Sequence, residues 1–177
     1  FASGLAAIST VLELLDKDSH LVAVDDVYGG TWRLLENVRR HSAGLRVSWV
    51  KPDDLAGIEA AIRPDTRMIW VETPTNPLLK LADLSAIAAI AKKHQLISVA
   101  DNTFASPYLQ RPLDLGFDVV VHSATKYLNG HSDVVAGVAA VVQAQITQSV
   151  APNSLLGFEL TVLAAVVLGG TSMSGGR

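Results

Sequence analysis

The chain has 177 residues, of which 49% are hydrophobic and 18% are charged, a composition that indicates a folded globular domain and excludes a disordered segment. It contains no cysteine, which excludes a disulfide scaffold, a thiolate zinc site and a cysteine nucleophile, and is compatible with a cytoplasmic location. The formal net charge is -3 and no long basic run occurs, so we expect no nucleic-acid partner and a small molecule as ligand.

Short apolar runs rich in valine and isoleucine alternate along the chain with segments of helical periodicity. The apolar runs predict buried strands over residues 21–24, 45–50, 68–71, 96–100 and 119–121. The helical segments are residues 6–15, 31–41, 53–62 and 83–94, with Asp53 and Asp83 as the predicted N-caps of the last two. This alternation predicts an α/β fold, with a mainly parallel sheet covered by helices on both faces.

Polar residues follow four of the predicted strands, in residues 25–30, 72–77, 101–103 and 122–126. Ligands of parallel sheets bind beyond the carboxyl ends of the strands, so we expect these segments to converge on one site. Lys126 follows a fully apolar strand, where desolvation would favour a neutral, nucleophilic amine. The alternative is an ordinary solvated lysine.

Two further features accompany this lysine. Asp101 ends a predicted buried strand, where a carboxylate costs several kcal/mol unless it pairs with a cation or with donors; the alternative is a common turn aspartate. Ser3, Gly4 and Leu5 precede a predicted helix whose free amides could bind phosphate, although an ordinary N-cap explains them too. An amine, a phosphate site and an acid facing a ring nitrogen are what a protein contributes to pyridoxal phosphate chemistry.

Other catalytic motifs are incomplete. Residues 123–126 fit the S-x-x-K pattern of penicillin-binding proteins, but no K-T-G follows, and residues 130–134 lack the second glycine of a nucleophile elbow. His122 and His131 have no third ligand at a suitable spacing, so no metal site is predicted. Dinucleotide and P-loop motifs do not occur.

Five ordered motifs resemble those of one family. They are residues 1–8 (FASGLAAI), 25–31 (DDVYGGT), 72–77 (ETPTNP) with Lys80, 101–107 (DNTFASP) and 122–127 (HSATKY), continuing to 130–133. Together they resemble the pyridoxal phosphate enzymes of cysteine and methionine metabolism, which include cystathionine gamma-lyase and cystathionine gamma-synthase. The resemblance implies a fold type I large domain in which residues 135–142 form the single antiparallel strand.

The resemblance also implies a role for each matched residue. Lys126 would bind pyridoxal 5'-phosphate as a Schiff base and later shuttle protons, Asp101 would pair with the pyridinium nitrogen, and Tyr28 would stack on the ring. Asn76 would approach the phenolic oxygen of the ring. The implied cofactor-binding residues are Gly4, Leu5, Tyr28, Asn76, Asp101, Ser123, Thr125 and Lys126. The implied catalytic residues are Lys126 and Tyr28.

The implied reaction is gamma-elimination or gamma-replacement on a sulfur amino acid, and the sequence does not choose lyase from synthase. Methionine gamma-lyase, cystathionine beta-lyase and O-acetylhomoserine sulfhydrylase remain alternatives. Another alternative is a catalytically silent fragment that at most binds the cofactor. The family implies a homotetramer for the complete enzyme.

The domain prediction places a partial cofactor-binding large domain in residues 1–143 and a tail outside the family pattern in residues 144–177. An N-terminal segment and a C-terminal domain, which carries the arginine for the substrate carboxylate, are expected to be missing. Residues 152–177 resemble a stretch of ribose-type sugar ABC transporter permeases. A membrane partner is predicted only if this tail is a piece of such a permease. The alternative is a plain apolar helix with a glycine-rich end.

Overall fold

The structure is a computed structural model that describes residues 1–131 and 133–141. The strands are β1 (His20–Val24), β2 (Arg46–Val50), β3 (Thr66–Glu72), β4 (Ile97–Asp101), β5 (Val119–Ser123) and β6 (Gly137–Val141). They form one sheet in the order β2-β1-β3-β4-β5-β6. All neighbouring pairs are parallel except β5 and β6, which are antiparallel. The mainly parallel sheet and its single antiparallel strand are therefore confirmed for the described residues.

Short helices connect the strands. They are α1 (Gly4–Val11), α2 (Gly29–Arg33), α3 (Arg40–Ala43), α4 (Leu55–Ala60), α5 (Leu84–Lys93) and α6 (Ser106–Leu109). A π-helical segment, Leu34–Arg39, joins α2 to α3, and 3-10 turns cover Leu12–Leu14 and Pro112–Leu115. The predicted helix ending near Gly44 thus consists of three segments, and Gly44 closes it with a left-handed φ of 66° that favours glycine.

One predicted N-cap is wrong. Helix α4 is capped by Asp54, whose carboxylate accepts a hydrogen bond from the Gly57 amide at 2.8 Å, and not by Asp53. The reason is that Asp53 lies inside a turn that precedes the helix. In this turn the Asp54 amide donates to the Lys51 carbonyl at 3.1 Å. Asp83 caps α5 as predicted, accepting from the Ala86 amide at 3.0 Å.

This difference is measurable because the two aspartates are adjacent. We expect Asp54→Ala to lower the free energy of unfolding by about 1 kcal/mol, the usual cost of losing an N-cap. The matched variant Asp53→Ala should stay within about 0.5 kcal/mol of the parent chain, as expected for a surface substitution. Urea unfolding of the two variants makes the comparison, and equal losses would contradict the assignment.

The core lies within the sheet and under its helices. Every residue of β1 is buried, and so are the central residues of β3, β4 and β5, including Trp70. Fully burying one Val, Leu or Ile side chain contributes about 1.5–3 kcal/mol, so these strands form a stable platform. The register pairs Glu72 of β3 with Asp101 of β4, which brings the carboxyl ends of the central strands side by side.

The first residues of the chain pack against the beginning of β6. The Gly137 amide donates to the Phe1 carbonyl at 2.9 Å. A Cβ atom on Gly137 would lie 2.2 Å from the Ser3 carbonyl oxygen, so only glycine fits this position. The start of α1 is thereby fixed against the edge strand.

The tail predicted for residues 144–177, including the permease-like stretch 152–177, lies outside the described residues. Within the described ranges, no helix has both the length and the apolar character needed to cross a bilayer.

Candidate cofactor site

A cavity of about 200 Å³ lies where β1, β3, β4 and β5 end. All the residues predicted to bind the cofactor line it: Gly4, Leu5, Tyr28, Asn76, Asp101, Ser123, Thr125 and Lys126. The other lining residues are Ser3, Ile8, Glu72, Thr103 and Phe104. The structure therefore brings the predicted set together, and the role of each residue stays a prediction.

One end of the cavity is the beginning of helix α1. The Ser3 hydroxyl caps the helix by accepting from the Ala6 amide at 3.1 Å. The first amides of a helix have no acceptor within it, which leaves those of Gly4 and Leu5 available to an anion. A Cβ on Gly4 would lie 2.6 Å from the Ser123 Cβ, so glycine lets the helix approach the end of β5 closely. Amides and the Ser123 hydroxyl thus face one small volume that suits a phosphate.

Thr125 already has partners in the chain. Its hydroxyl accepts from the Ala136 amide at 3.0 Å and donates to the Ala136 carbonyl at 3.3 Å. The donated bond is long for an O–H donor, so exchanging it for a phosphate oxygen would cost little. Thr125 could therefore contact a phosphate only by giving up its bond to the Ala136 carbonyl, whereas a phosphate contact from the Ser123 hydroxyl requires no such exchange.

Lys126 lies on the turn that follows β5, with its amide donating to the Ser123 carbonyl at 3.0 Å. Its side chain lines the cavity but is exposed, so the desolvated environment predicted for it is not found. The physical reason is its position: the turn extends beyond the strand end to the rim of the cavity, where none of the described residues covers it. Next to it, Tyr127 contacts Phe104 edge to face, with ring centroids 5.5 Å apart.

Asp101 is buried at the end of β4 and has no cation in salt-bridge contact among the described residues. Its carboxylate accepts from the amide of Thr103 at 3.0 Å and from the hydroxyl of the same residue. This is the turn geometry considered as the alternative, and pairing of Asp101 with a ring nitrogen stays a prediction. Burial raises the pKa of Asp101, and the Thr103 bonds partly oppose this.

Glu72 is the residue that sequence reasoning missed. It is buried, lies in register with Asp101, and accepts a hydrogen bond from the Tyr28 amide at 2.8 Å. Burial, and secondly the Asp101 carboxylate, raise the pKa of Glu72 well above the usual value for glutamate. The sequence did place both acids at strand ends, and their equivalent positions on neighbouring strands would have indicated the pair.

This pair provides a test of whether the residues fit a pyridoxal ring. Two buried carboxyl groups side by side, without a cation among the described residues, form a site that favours a positive charge or shared protons. A protonated ring nitrogen supplies such a charge. With the anion site of α1 at one end and the Lys126 amine at the rim, the cavity fits the cofactor.

The loops that carry Tyr28 and Asn76 are held by specific bonds. The Asp26 carboxylate accepts from the Thr75 hydroxyl at 2.5 Å and from the Leu78 amide at 3.1 Å, which ties residues 75–78 to the end of β1. The Tyr28 side chain is 45% exposed and lies against Gly30, where a Cβ would come within 2.3 Å of its ring. The Tyr28 ring therefore packs against Gly30, and the residue is part of the cavity lining.

His122 does not line the cavity. Both of its ring nitrogens are buried without a hydrogen bond within the part of the chain that the structure describes. Burial lowers the pKa of His122 to about 4. As the pH falls, the unfolded chain therefore takes up the proton before the folded chain does. The free energy of unfolding is unaffected by this group above about pH 6.5 and decreases as the pH falls toward 4.

We accordingly expect His122→Leu to reduce the loss of stability in acid by up to about 3 kcal/mol. Removing a buried polar ring without partners should also leave the variant at least as stable near neutrality. Urea unfolding at about pH 7 and about pH 4.5 measures both effects. The exposed His131, changed to alanine, is the control, and an acid loss in His122→Leu equal to that of the parent chain would refute the prediction.

A larger groove, of about 630 Å³, lies at the opposite end of the strands, near the starts of β3 and β4. None of the predicted cofactor residues lines it. Its Glu59 carboxylate is bound by Lys93 at 2.7 Å and by His94 at 2.8 Å. The Glu59 carboxylate is therefore already bound by neighbouring side chains of the chain.

The strand order, the antiparallel last strand and the position of the cavity together define a fold type I pyridoxal phosphate enzyme. Comparison with family models agrees. The chain belongs to the family described as Cys/Met metabolism PLP-dependent enzyme, whose model matches residues 1–169. That match continues into residues 144–169, so the domain boundary and the nature of the tail stay predictions.

The names of two relatives give two different activities. The chain is 60% identical over 141 residues to a cystathionine beta-lyase from Coxiella burnetii, covering 80% of this chain and 36% of that protein. It is 53% identical over 137 residues to a probable cystathionine gamma-synthase from Herpetosiphon aurantiacus, covering 77% and 43%. The chain thus spans well under half the length of these relatives.

A crystal structure of cystathionine gamma-lyase from Lactobacillus plantarum, complexed with L-serine, matches with a TM-score of 0.80 and 47% identity. The match covers 94% of this chain and 41% of that one. Pyridoxal phosphate is the cofactor of the family, in agreement with the fit of the cavity.

Proposed function

We propose that this chain is the cofactor-binding part of an enzyme that uses pyridoxal 5'-phosphate for gamma-elimination or gamma-replacement on a sulfur amino acid. The observation that carries the proposal is that Lys126 and Asp101 line the same cavity, next to the start of α1. The names of the relatives support carbon–sulfur chemistry on cystathionine. Because the chain spans well under half of those relatives, the activity is proposed for the whole protein.

Pyridoxal phosphate supplies, when bound, an electron sink for the bonds that break at the substrate carbons. The chain's residues orient it and set its charge. The Gly4 and Leu5 amides and the Ser123 hydroxyl would bind the phosphate, and the Asp101 carboxylate would hold a proton on the ring nitrogen. Tyr28 would stack on the cofactor ring, and Asn76 would contact its phenolic oxygen.

Lys126 would have two tasks. Its Nζ would hold the cofactor covalently before the substrate arrives and, once released, take a proton from the substrate and return it at another carbon. A positioned acid–base group of this kind accelerates a reaction by about 10²–10⁴. The place of Lys126 at the rim of the cavity gives the amine access to an incoming amino acid.

Beta-elimination is the second candidate, because the relative with 60% identity is a cystathionine beta-lyase. The products of cystathionine cleavage separate the two. Gamma-elimination releases cysteine, 2-oxobutanoate and ammonia, whereas beta-elimination releases homocysteine, pyruvate and ammonia. For a synthase, formation of cystathionine from an activated homoserine and cysteine is the assay. Methionine gamma-lyase and O-acetylhomoserine sulfhydrylase are tested in the same way with methionine or with O-acetylhomoserine and sulfide.

A catalytically silent fragment that binds the cofactor is the other alternative, suggested by the exposed Lys126 and by the share of the relatives that the chain spans. Mixing the purified chain with pyridoxal phosphate and recording the visible band tests for binding. A band without any of these products, at high protein concentration, would favour the silent fragment. Absence of the band would overturn the proposed function for this chain.

The partners belong to the same proposal. The substrate would be an amino acid, and the complete enzyme would be a homotetramer, as the resemblance implies. Light scattering of the complete protein measures the assembly. A cytoplasmic location remains a prediction from the sequence.

A further inference from the structure

The carboxyl group of Glu72 holds the loop that carries Tyr28, one of the predicted cofactor residues. One oxygen, Oε2, accepts a hydrogen bond from the Tyr28 amide at 2.8 Å. Tyr28 and Asn76 come from the ends of different strands, β1 and β3, and Glu72 itself lines the cavity between them.

An acid at this position is costly for folding. Glu72 is only 5% exposed and lies beside the buried Asp101, so both desolvation and like charge oppose its ionised form. A purely apolar residue would avoid that cost but would leave the Tyr28 amide without its acceptor. The contact that distinguishes Glu72 from an apolar residue is therefore the bond that holds the loop of Tyr28.

We propose that Glu72 is a positioning residue for the cofactor, acting through the backbone of Tyr28 to fix the aromatic ring beside the cavity. The proposal rests on the proposed function, because it assigns the residue to the same cofactor site. It requires an acceptor oxygen at position 72 and not a negative charge. Since a displacement of about 1 Å in a positioning group is enough to impair a reaction, loosening this loop should be measurable.

Two variants of the full chain separate the acceptor from the charge. Glu72→Gln keeps an acceptor oxygen and removes the charge, whereas Glu72→Leu removes both while filling a similar volume without a buried carboxyl. The ligands are pyridoxal 5'-phosphate and pyridoxine 5'-phosphate, which lacks the aldehyde that reacts with Lys126. We expect Glu72→Leu to weaken both ligands about tenfold, and Glu72→Gln to remain within about threefold of the parent chain.

A double-mutant cycle tests whether the effect passes through Tyr28. In a Tyr28→Ala background, Glu72→Leu should cost little further affinity, because residues that act through one another are not additive. A full additional loss in that background would overturn the proposal, and so would a loss in Glu72→Gln as large as that in Glu72→Leu.

Hydrogen exchange of the cofactor-free chain provides a readout that needs neither ligand nor activity. We expect Glu72→Leu to increase deuterium uptake over residues 25–30, which contain the Tyr28 amide. Asp118→Leu is the matched control, because Asp118 also accepts from a backbone amide, that of Ser98 at 2.8 Å, and leucine likewise removes the acceptor, but Asp118 does not line the cavity.

The two proposals then fail separately. A parent chain that does not bind pyridoxal phosphate would overturn the proposed function. Unchanged exchange over residues 25–30 in Glu72→Leu, or an equal increase there in Asp118→Leu, would overturn the positioning role of Glu72.

Discussion

Replacing Lys126 with alanine should abolish covalent attachment of the cofactor and lower the turnover of the complete enzyme by at least about 10²–10⁴. The reason is that this amine is the attachment point and the proton carrier in the proposed mechanism. The visible band on adding pyridoxal phosphate, and the peptide labelled after borohydride reduction, measure attachment directly. Binding of pyridoxine 5'-phosphate should survive, because the phosphate and ring contacts do not involve the amine.

Lys93→Ala is the matched control for this prediction. Lys93 is another exposed lysine, but its Nζ binds the Glu59 carboxylate at 2.7 Å. Glu59 lines the groove at the amino ends of the strands, away from the cofactor site. This variant should show the full visible band and the same labelled peptide as the parent chain. Labelling of any lysine other than Lys126 in the parent chain would refute the assignment.

Replacing Asp101 with asparagine should have opposite effects on cofactor binding and on folding. Removing one partner of a buried ion pair costs about 3–5 kcal/mol, so the affinity for pyridoxal phosphate should fall by at least about 100-fold. In the cofactor-free chain the same change removes a buried acid beside Glu72 and should therefore stabilise the fold. Absorbance titration measures the first effect and urea unfolding the second.

The stabilisation should depend on pH, with a sign that follows from the raised pKa of Asp101. A group whose pKa is raised on folding stabilises the native state below its ordinary pKa, 3.8 here, and loses that contribution as the pH rises. The difference in free energy of unfolding between Asp101→Asn and the parent chain should thus increase from acid to neutral pH. His122 is present in both chains, so its opposite pH dependence cancels in the difference. A variant less stable than the parent at neutral pH would contradict this account.

Local patterns were sufficient to predict the sheet. The apolar runs fixed the strands because a strand in a parallel sheet buries both faces, and the polar residues after each run identified the cavity because parallel strands end at one edge. Lys126 and Asp101 were thus predicted to converge without any knowledge of the loops between them. The exact start of α4 was wrong, since the choice between Asp53 and Asp54 depends on a turn formed by the preceding residues.

Pairwise contacts between distant segments were less predictable. The sequence placed Glu72 at a strand end but gave no sign that its carboxyl would bind the Tyr28 amide, because that contact depends on the register of β3 and on the loop after β1. The exposure of Lys126 was also missed, since an apolar strand before a residue does not determine what covers the residue itself.

The bond between Gly137 and Phe1 has a consequence for biosynthesis. The amides proposed to receive the phosphate precede all six described strands along the chain, so they emerge from the ribosome before those strands, whereas β6, which steadies them, emerges only after the other five. A nascent chain that stops before β6 would possess the lysine and the acid and still lack a firm anchor for the anion. Binding of the cofactor would consequently indicate that β6 has paired with β5 and with the start of the chain. Pyridoxal phosphate added during refolding should therefore favour the native state over its folding intermediates.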